Sequence, residues 1–195
     1  MKTKVNFFRS MMAILITLGM TYTVSAQVSE EVSTEDVNEL RSKLVEIAEA
    51  NETIAKNLET FDELDYTVFT NQEWSRLHES HAEDILVHWP DGSTTTGIKR
   101  HIEDLSKMFV YAPDTRIEEH PIKIGSGNIT AVMGVMEGTF SEPMPIGDGK
   151  FIDPTGKAFK INMVTIGLWN DDGVMYEEYL FWDNLTYMKQ LGLAN

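Results

Sequence analysis

The sequence predicts an α+β fold in which N-terminal helices cover a strongly curved, mostly antiparallel sheet and leave a cavity between the two layers. Two observations predict it. Apolar residues recur at helical spacing in the first half of the chain, and from Thr115 onward the pattern changes to alternation with many β-branched residues. Helices followed by consecutive strands are typical of α+β domains. The space between helices and a curved sheet is a natural ligand cavity.

The first 26 residues have the pattern of a secretory signal peptide. Three basic residues precede an apolar run at 11–20, and the small residues of Val24-Ser25-Ala26 follow. Ten apolar residues are too few to span a bilayer as an anchor. We therefore expect cleavage before Gln27 and a secreted or periplasmic bacterial protein that has no membrane association after signal removal.

Composition and charge exclude several classes of protein. The 195 residues carry a net charge of −15 and no cysteine, and removal of residues 1–26 leaves 169 residues with a net charge of −18. A charge of this sign repels phosphate backbones, so the sequence predicts no nucleic-acid partner. The absence of cysteine excludes disulfides, thiolate nucleophiles and cysteine-ligated zinc. The remaining length suits one domain with a substantial core.

The mature chain begins with an acidic leader and a helical segment. A capping pattern at Ser33-Thr34-Glu35-Asp36 predicts the helix start. Apolar residues then recur every three or four positions, at Val37, Leu40, Leu44, Ile47, Ile54, Leu58 and Phe61. This predicts either one long helix or two helices broken near Asn51, with an apolar face that the domain itself or a second subunit must cover. We assign 27–50 to the leader and an extra helix, and 51–195 to the main domain.

The later elements follow from periodicity and turn residues. The pattern predicts a short helix at 71–79, a strand at 84–89 that ends at a Pro-Asp-Gly turn, and an amphipathic helix at 97–110. Long strands are predicted near 115–124, 129–140, 158–169 and 174–183. Proline and glycine predict a long loop at 141–157, and a short helix at 184–191 closes the chain.

Four groups of residues carry a family resemblance. They are His88-x-Pro90-Asp91-Gly92 followed by Gly97, then Ala112-Pro113-Asp114, then Pro154-Thr155-Gly156-Lys157, and finally Asp172-Gly173, Glu177-x-Tyr179-x3-Asp183 and Gln190-Leu191-Gly192. In this order and spacing, over roughly 55–193, they resemble the SnoaL-like polyketide cyclases of the nuclear transport factor two-like superfamily. The resemblance implies a cone-shaped fold, a deep cavity and usually a dimer.

Asp183 and His88 are the predicted catalytic residues. In the cyclases that the chain resembles, the aspartate matching Asp183 transfers a proton during an intramolecular aldol closure. Asp183 shares a strand face with Tyr179 and Phe181, and a carboxylate in an apolar cavity acquires the raised pKa of an acid–base catalyst. The alternative role for Asp183 is to cap the closing helix. His88 precedes a turn, where it could hydrogen-bond a substrate carbonyl or the backbone.

Five further residues are predicted to bind substrate, namely Tyr179, Phe181, Tyr66, Asp91 and His120. Tyr66 could donate its hydroxyl into the cavity, as a tyrosine of the related ketosteroid isomerases does, or pack in the core. Asp91 could instead stabilise its turn. His120 could face the cavity or solvent.

No metal or cofactor is predicted. His78 and His81 are three residues apart, with Glu79 and Glu83 nearby, and they lack the i, i+4 spacing of zinc-binding helices. We interpret them as part of a solvated helix face.

These observations lead to two functional hypotheses. The first is an exported, cofactor-independent cyclase, isomerase or lyase that uses a cavity carboxylate for proton transfer on a small apolar carbonyl compound. The second is a secreted, non-catalytic module that binds a small molecule or forms a dimeric interaction surface. We expect a homodimer through the outer sheet face, because the strands at 129–140 and 158–169 are apolar on both faces.

Overall fold

The computed structural model describes residues 33–195, so the predicted signal peptide and residues 27–32 of the predicted leader lie outside the described residues. The α-helices are α1 (Thr34–Glu63), α2 (Ile98–Tyr111) and α3 (Asn184–Leu191). A π-helical turn at Leu64–Phe69 continues α1, and a 3-10 helix follows at Trp74–Glu79. Among these helices, none combines the length and apolar character needed to cross a bilayer.

The strands of the described residues are β1 (His81–His88), β2 (Thr94–Thr96), β3 (Arg116–Ile117), β4 (Ile122–Ser126), β5 (Ile129–Thr139), β6 (Met144–Gly147), β7 (Lys150–Ile152), β8 (Ala158–Trp169) and β9 (Met175–Trp182). Seven of them form the main sheet, in the order β2-β1-β9-β8-β5-β3, with β4 also paired to β5, and β6 and β7 form a separate hairpin. β1 and β9 are parallel, and the other neighbours are antiparallel. The predicted α+β class with a curved, mostly antiparallel sheet is confirmed.

Helix α1 is continuous through Asn51, so the alternative with two helices is wrong. It starts with a capping box, in which the Ser33 hydroxyl accepts from the Asp36 amide and the Asp36 carboxylate accepts from the Ser33 amide, both at 3.0 Å. Residues 34–53 are exposed throughout, and the helix packs on the domain only in its last turns, where Asn57 and Phe61 are buried. Within residues 33–195, the apolar stripe of the first half of α1 is uncovered.

Two predicted segments differ from the observed elements. The predicted strand at 115–124 is divided into β3 and β4, because Pro121 lies between them and has no amide hydrogen for the ladder. The predicted loop at 141–157 contains the β6–β7 hairpin, whose turn uses positive φ angles at Gly147, Asp148 and Gly149. Both differences reflect local backbone chemistry that alternation alone does not reveal.

Alternation along the strands gives the sheet an inner and an outer face. The inner face carries buried side chains such as Val132, Met136 and Phe159, which pack against α2, α3 and the end of α1. The outer face carries the side chains that alternate with these along each strand. Ile124 on β4 and Tyr179 on β9 are examples. The packing between the inner face and the helices is incomplete, and the site described next occupies the remaining space.

Candidate functional site

An interior pocket lies between the inner sheet face, α2 and the π-helical turn. Its apolar wall consists of Leu64, Phe69, Leu105, Met108, Met136, Met163 and Leu180, and its polar or amphipathic wall of Asp65, His81, Trp89, His101, Asp104, Thr165, Glu178 and Trp182. The centre of a water molecule can move through about 70 Å³ of this space. One water needs about 10–15 Å³ by the same measure. The pocket therefore has room for a small ligand and is not filled by its own side chains.

Strand β9 turns a different set of residues toward the pocket from the predicted one. Glu178, Leu180 and Trp182 line the pocket, and Glu178 is only 4% exposed. Tyr179 and Phe181 lie on the outer face, where Phe181 is 50% exposed. Because successive side chains of a strand alternate, the expectation that Tyr179 and Phe181 line the cavity is wrong by one residue.

Asp183 is the N-cap of α3 and lies outside the pocket. Its carboxylate accepts hydrogen bonds from the Thr186 amide at 3.0 Å and the Thr186 hydroxyl at 2.6 Å. The carboxylate is exposed, and these hydrogen bonds hold its pKa below the ordinary value. These contacts are those of a helix cap, the alternative role for this residue.

His88 lies on the outer face together with the predicted Tyr179. Their rings stack at 3.9 Å between centroids with 3° between the planes. Glu177 joins them, since its Oε1 accepts from the Tyr179 hydroxyl at 2.7 Å and lies 2.8 Å from His88 Nε2. These contacts lower the pKa of Glu177, with the Tyr179 bond as the larger cause. The structure thus brings these motif residues together, but on the opposite side of the sheet from the pocket.

Asp91 and Tyr66 also lie outside the interior pocket. Asp91 stabilises the turn after β1, where its Oδ1 accepts from the Ser93 amide at 2.9 Å and the Ser93 hydroxyl at 2.6 Å. It lines a surface cleft that adjoins the pocket at Trp89 and Trp182. Tyr66 is half-buried and stacks on His120, with 4.5 Å between ring centroids.

His120 links the pocket to the surface through two carboxylates. Its fully buried imidazole lies 2.8 Å from Asp65 Oδ2 through Nε2 and 2.7 Å from Asp62 Oδ1 through Nδ1. Asp65 lines the pocket, whereas the Asp62 side chain is 28% exposed and pairs with Lys123. We call Asp65, His120 and Asp62 the relay, because they form an unbroken chain of hydrogen bonds from the pocket toward solvent.

The surroundings of the relay raise the pKa values of Asp65 and His120 and lower the pKa of Asp62. Burial raises the pKa of Asp65, although the hydrogen bond from His120 opposes this effect. Burial by itself would lower the pKa of His120, but its two carboxylate partners outweigh burial and raise it. Burial likewise opposes ionisation of Asp62, and Lys123 and His120 outweigh it, so the pKa of Asp62 is lowered. Carboxylates whose pKa values are pushed apart are typical of acid–base sites.

Three buried polar side chains form a second group in the pocket, which we call the buried cluster. Glu178 Oε2 lies 3.3 Å from His101 Nε2 and 3.8 Å from His81 Nε2. Burial disfavours the Glu178 carboxylate, but the two imidazoles outweigh burial and hold its pKa below the ordinary value. Burial lowers the pKa of His101 to about 4. At 3.8 Å the contact with His81 is electrostatic and not a hydrogen bond.

The sequence reasoning did not find Asp65, His101 or Glu178, and it placed His81 on a solvated helix face. That placement is wrong, because His81 begins β1 and is 2% exposed. A usable signal was present. His101 falls on the apolar stripe of α2, and Glu178 shares the inner phase of β9 with Leu180. A charged residue at a buried position is uncommon unless it is paired or functional.

The fold and the pocket define a nuclear transport factor two-like α+β domain with an interior site. The chain belongs to the SnoaL-like polyketide cyclase family, whose model matches residues 60–191. The resemblance inferred from the sequence motifs is therefore confirmed. A comparison with curated protein sequences finds no match.

Solved structures of similar fold agree with this family. A protein from a Jannaschia species, assigned as a SnoaL-like polyketide cyclase, is 18% identical with a TM-score of 0.62, over 72% of this chain and 94% of its own. IdmH from Streptomyces antibioticus, assigned as a polyketide cyclase, is 23% identical with a TM-score of 0.59, over 70% of this chain and 98% of its own. A Burkholderia pseudomallei protein described as NTF2-like is 17% identical with a TM-score of 0.56, over 70% of this chain and 97% of its own. At these identities the likeness establishes the fold.

Proposed function

We propose that this chain is an exported enzyme of the cyclase or isomerase type, which moves a proton on a small, largely apolar carbonyl compound bound in the interior pocket. The observation that carries this proposal is the relay, since it presents a buried carboxyl group of raised pKa to the pocket. Membership of the SnoaL-like family supports the reaction class. The signal-peptide pattern of residues 1–26 supports export.

Asp65 takes the role of the proton-transfer group. Its carboxylate removes a proton from the carbon next to the substrate carbonyl, and the electron pair of that bond moves toward the carbonyl oxygen. A raised pKa makes the carboxylate a stronger base near neutral pH than an exposed aspartate. Return of the proton from Asp65 to another carbon completes an isomerisation. Attack of the carbon nucleophile on a second carbonyl of the same molecule instead closes a ring, and Asp65 returns the proton to the alkoxide oxygen formed when the π bond of that carbonyl breaks.

Two neighbouring groups assist this step. The indole N–H of Trp182 lines the pocket, is buried and has no hydrogen-bond partner within the described residues. It is a donor for the oxygen on which negative charge develops, an interaction that is strong in a dry site. His120 holds Asp65 in place and connects it to Asp62, so that a proton can be exchanged with solvent while the pocket is occupied.

The size and lining of the pocket support a small apolar substrate. Most wall residues are aliphatic, aromatic or methionine side chains, and the open space is about 70 Å³ for water centres. Three of the wall residues are methionines, whose flexible side chains adapt to different ligand shapes. A compound with several fused rings would require these walls to move.

The second hypothesis, a non-catalytic binding module, uses the same pocket and differs only in whether bonds change. An exchange assay separates the two. The protein is incubated in D₂O with small cyclic ketones such as cyclohexanone, and loss of the signal of the hydrogens next to the carbonyl is followed by NMR. We expect the protein to accelerate this exchange, and Asp65→Asn to lower the rate by about 100-fold or more, the usual scale of acid–base assistance.

Glu177→Gln is the matched control, because Glu177 is a carboxylate on β9 that faces away from the pocket. Its exchange rate should equal that of the unchanged protein. Thermal shift with the same ketones reports binding separately. Ketones that bind without any exchange would favour the binding module, and exchange that survives Asp65→Asn would remove Asp65 from the mechanism.

A further inference from the structure

We propose that His81, His101 and Glu178 form a binding site for one divalent first-row transition metal ion. The proposal goes beyond the proposed function, because proton transfer by Asp65 requires no metal and uses none of these three residues. The cluster joins β1, α2 and β9 at the wall of the interior pocket. It contains two imidazoles and one carboxylate, and all three residues are at most 4% exposed.

The spacing of the three side chains fits a shared ion. One ligand atom from each residue lies within 4.8 Å of the other two, and the two distances to Glu178 Oε2 are 3.3 and 3.8 Å. Ligands at about 2.0–2.1 Å from a tetrahedral ion are about 3.4 Å apart. The widest separation, at most 4.8 Å, would have to contract by up to about 1.4 Å, which small rotations of the two side chains involved can supply.

The hydrogen bonding of the cluster leaves ligand atoms without partners. Glu178 Oε2 and His81 Nε2, two of the three atoms that would hold the ion, are buried and have no hydrogen-bond partner within the described part of the chain. A buried carboxylate oxygen without a partner is costly. By contrast, Glu177 on the outer face accepts two hydrogen bonds. The same strand therefore carries one carboxylate with hydrogen bonds and one whose Oε2 has none.

Ser80 orients His81 for metal binding. The Ser80 hydroxyl donates to the Leu77 carbonyl at 3.2 Å and lies 2.9 Å from His81 Nδ1. Since the hydroxyl proton is used, Ser80 accepts the Nδ1 proton of His81. In the neutral imidazole the lone pair is then on Nε2, the atom that faces Glu178, and a metal ion can accept it. Metal-ligating histidines characteristically donate their other ring N–H in this way.

The ligand set points to the class of ion and to its coordination. Imidazole nitrogen with one carboxylate suits Zn²⁺ or Fe²⁺ and does not suit Mg²⁺ or Ca²⁺, which prefer oxygen. Three protein ligands beside an open pocket leave coordination positions for water or substrate, as in catalytic zinc sites and non-haem iron sites. An ion there would be a Lewis acid for the carbonyl oxygen. This proposal replaces the sequence-based prediction of no metal, which considered only residues near His78.

The test is a titration of the mature chain with Co²⁺ after removal of metals by a chelator. We expect one Co²⁺ per chain, with visible d–d absorption, and stoichiometric displacement by Zn²⁺. Glu178→Gln should abolish saturable binding. Ser80→Ala should weaken binding by about 10–100-fold, the usual effect of removing an outer hydrogen bond to a ligand. Glu177→Gln, one residue away on the outer face, should bind Co²⁺ as the unchanged chain does.

The outcomes separate this proposal from the proposed function. The absence of saturable Co²⁺ and Zn²⁺ binding by the unchanged chain would overturn the metal site, whether or not ketone exchange is observed. Unaltered binding by Glu178→Gln would overturn it as well. Near-UV circular dichroism shows whether Glu178→Gln retains the native fold, and if it does not, the titrations of the unchanged chain and of Ser80→Ala decide. Metal binding without ketone exchange would leave the site standing and count against the proton-transfer function.

Discussion

At the scale of single residues, contacts and burial decide the chemistry of each carboxylate. Asp65 and Asp183 are both aspartates of an acidic chain, yet burial raises the pKa of the first and hydrogen bonds from Thr186 lower the pKa of the second. Burial favours the neutral acid, whereas a capping carboxylate is held in its charged form. The acid–base candidate is therefore the residue in the pocket and not the one at the helix end.

The cap role of Asp183 gives a direct prediction. Asp183→Asn should change the free energy of unfolding little, because asparagine also accepts a hydrogen bond from a helix amide, whereas Asp183→Ala should lower it, because alanine accepts none. Urea denaturation measures both. Ketone exchange should be unchanged in the asparagine variant. A loss of about 100-fold in that variant would restore Asp183 to the mechanism.

The relay predicts a pH-dependent contribution to stability. The pKa of His120 is raised in the folded state, so the stabilisation from its charged form is complete below the unfolded value of about 6.5 and is lost as pH rises through the folded value. Asp62→Asn keeps a hydrogen-bond acceptor but removes the negative charge beside that charged imidazole. We expect it to cost about 1–2 kcal/mol near pH 6 and less near pH 9, as measured by urea denaturation at each pH.

Lys123→Gln provides the control for this pH dependence. Lys123 pairs with Asp62 but not with His120, and an ordinary lysine remains charged up to about pH 10. The loss in free energy of unfolding caused by Lys123→Gln should therefore stay constant between pH 6 and pH 9. An Asp62→Asn cost that is equally constant would show that His120 does not change charge in this range.

At the scale of elements, β9 and α1 show how much depends on which face a residue occupies. A strand alternates strictly, so a shift of one residue exchanges every inward side chain for an outward one. On β9 this shift separates Glu178, which is buried beside two histidines, from Tyr179, which stacks on His88. Helix α1 has the predicted apolar stripe, but no part of residues 33–195 covers that stripe in the first half of the helix. Periodicity identifies the face of an element and not its partner.

At the scale of the whole molecule, the outer face is more apolar than an exposed sheet face needs to be. Its exposed positions include Ile122 at 54%, Ile124 at 61%, Ile129 at 44% and Phe181 at 50%. Contiguous exposed apolar residues are typical of an interface. We propose that two copies pair through this face, in the isologous arrangement common in dimers.

The dimer proposal predicts an effect of charge on the outer face. Ile124→Asp should convert a dimer to a monomer, because it would place two buried charges at the interface of a strongly acidic protein. Light scattering at micromolar concentration measures the mass. Ile146→Asp is the control, since Ile146 is equally exposed at 55% but lies on the β6–β7 hairpin. A monomer mass for the unchanged chain would contradict the proposal, and a dimer that survives Ile124→Asp would place the contact elsewhere, for example on α1.

The sequence by itself determined the order of the main helices and long strands, the α+β class and the family. These follow from periodicity, turn residues and motif spacing, which are properties of neighbouring residues. It did not determine the short strands β2, β6 and β7. His88 and Tyr179 were both predicted to be site residues, and they lie in contact with each other and with Glu177, which belongs to the same motif as Tyr179. Their position on the outer face, however, depends on which side chains of β9 pack against the helices.

Only the tertiary structure decided which groups share the pocket. The β1–β9 pairing changes register between His81 and Leu86, and in this irregular segment His81 lies at the pocket, where it meets His101 and Glu178. Asp65 and His120 likewise meet because the end of α1 packs across the sheet. Such contacts join residues that are far apart in the chain, and local patterns carry no information about which distant residues will meet. The physical reason is that packing, and not periodicity, selects the one arrangement that buries the apolar faces together.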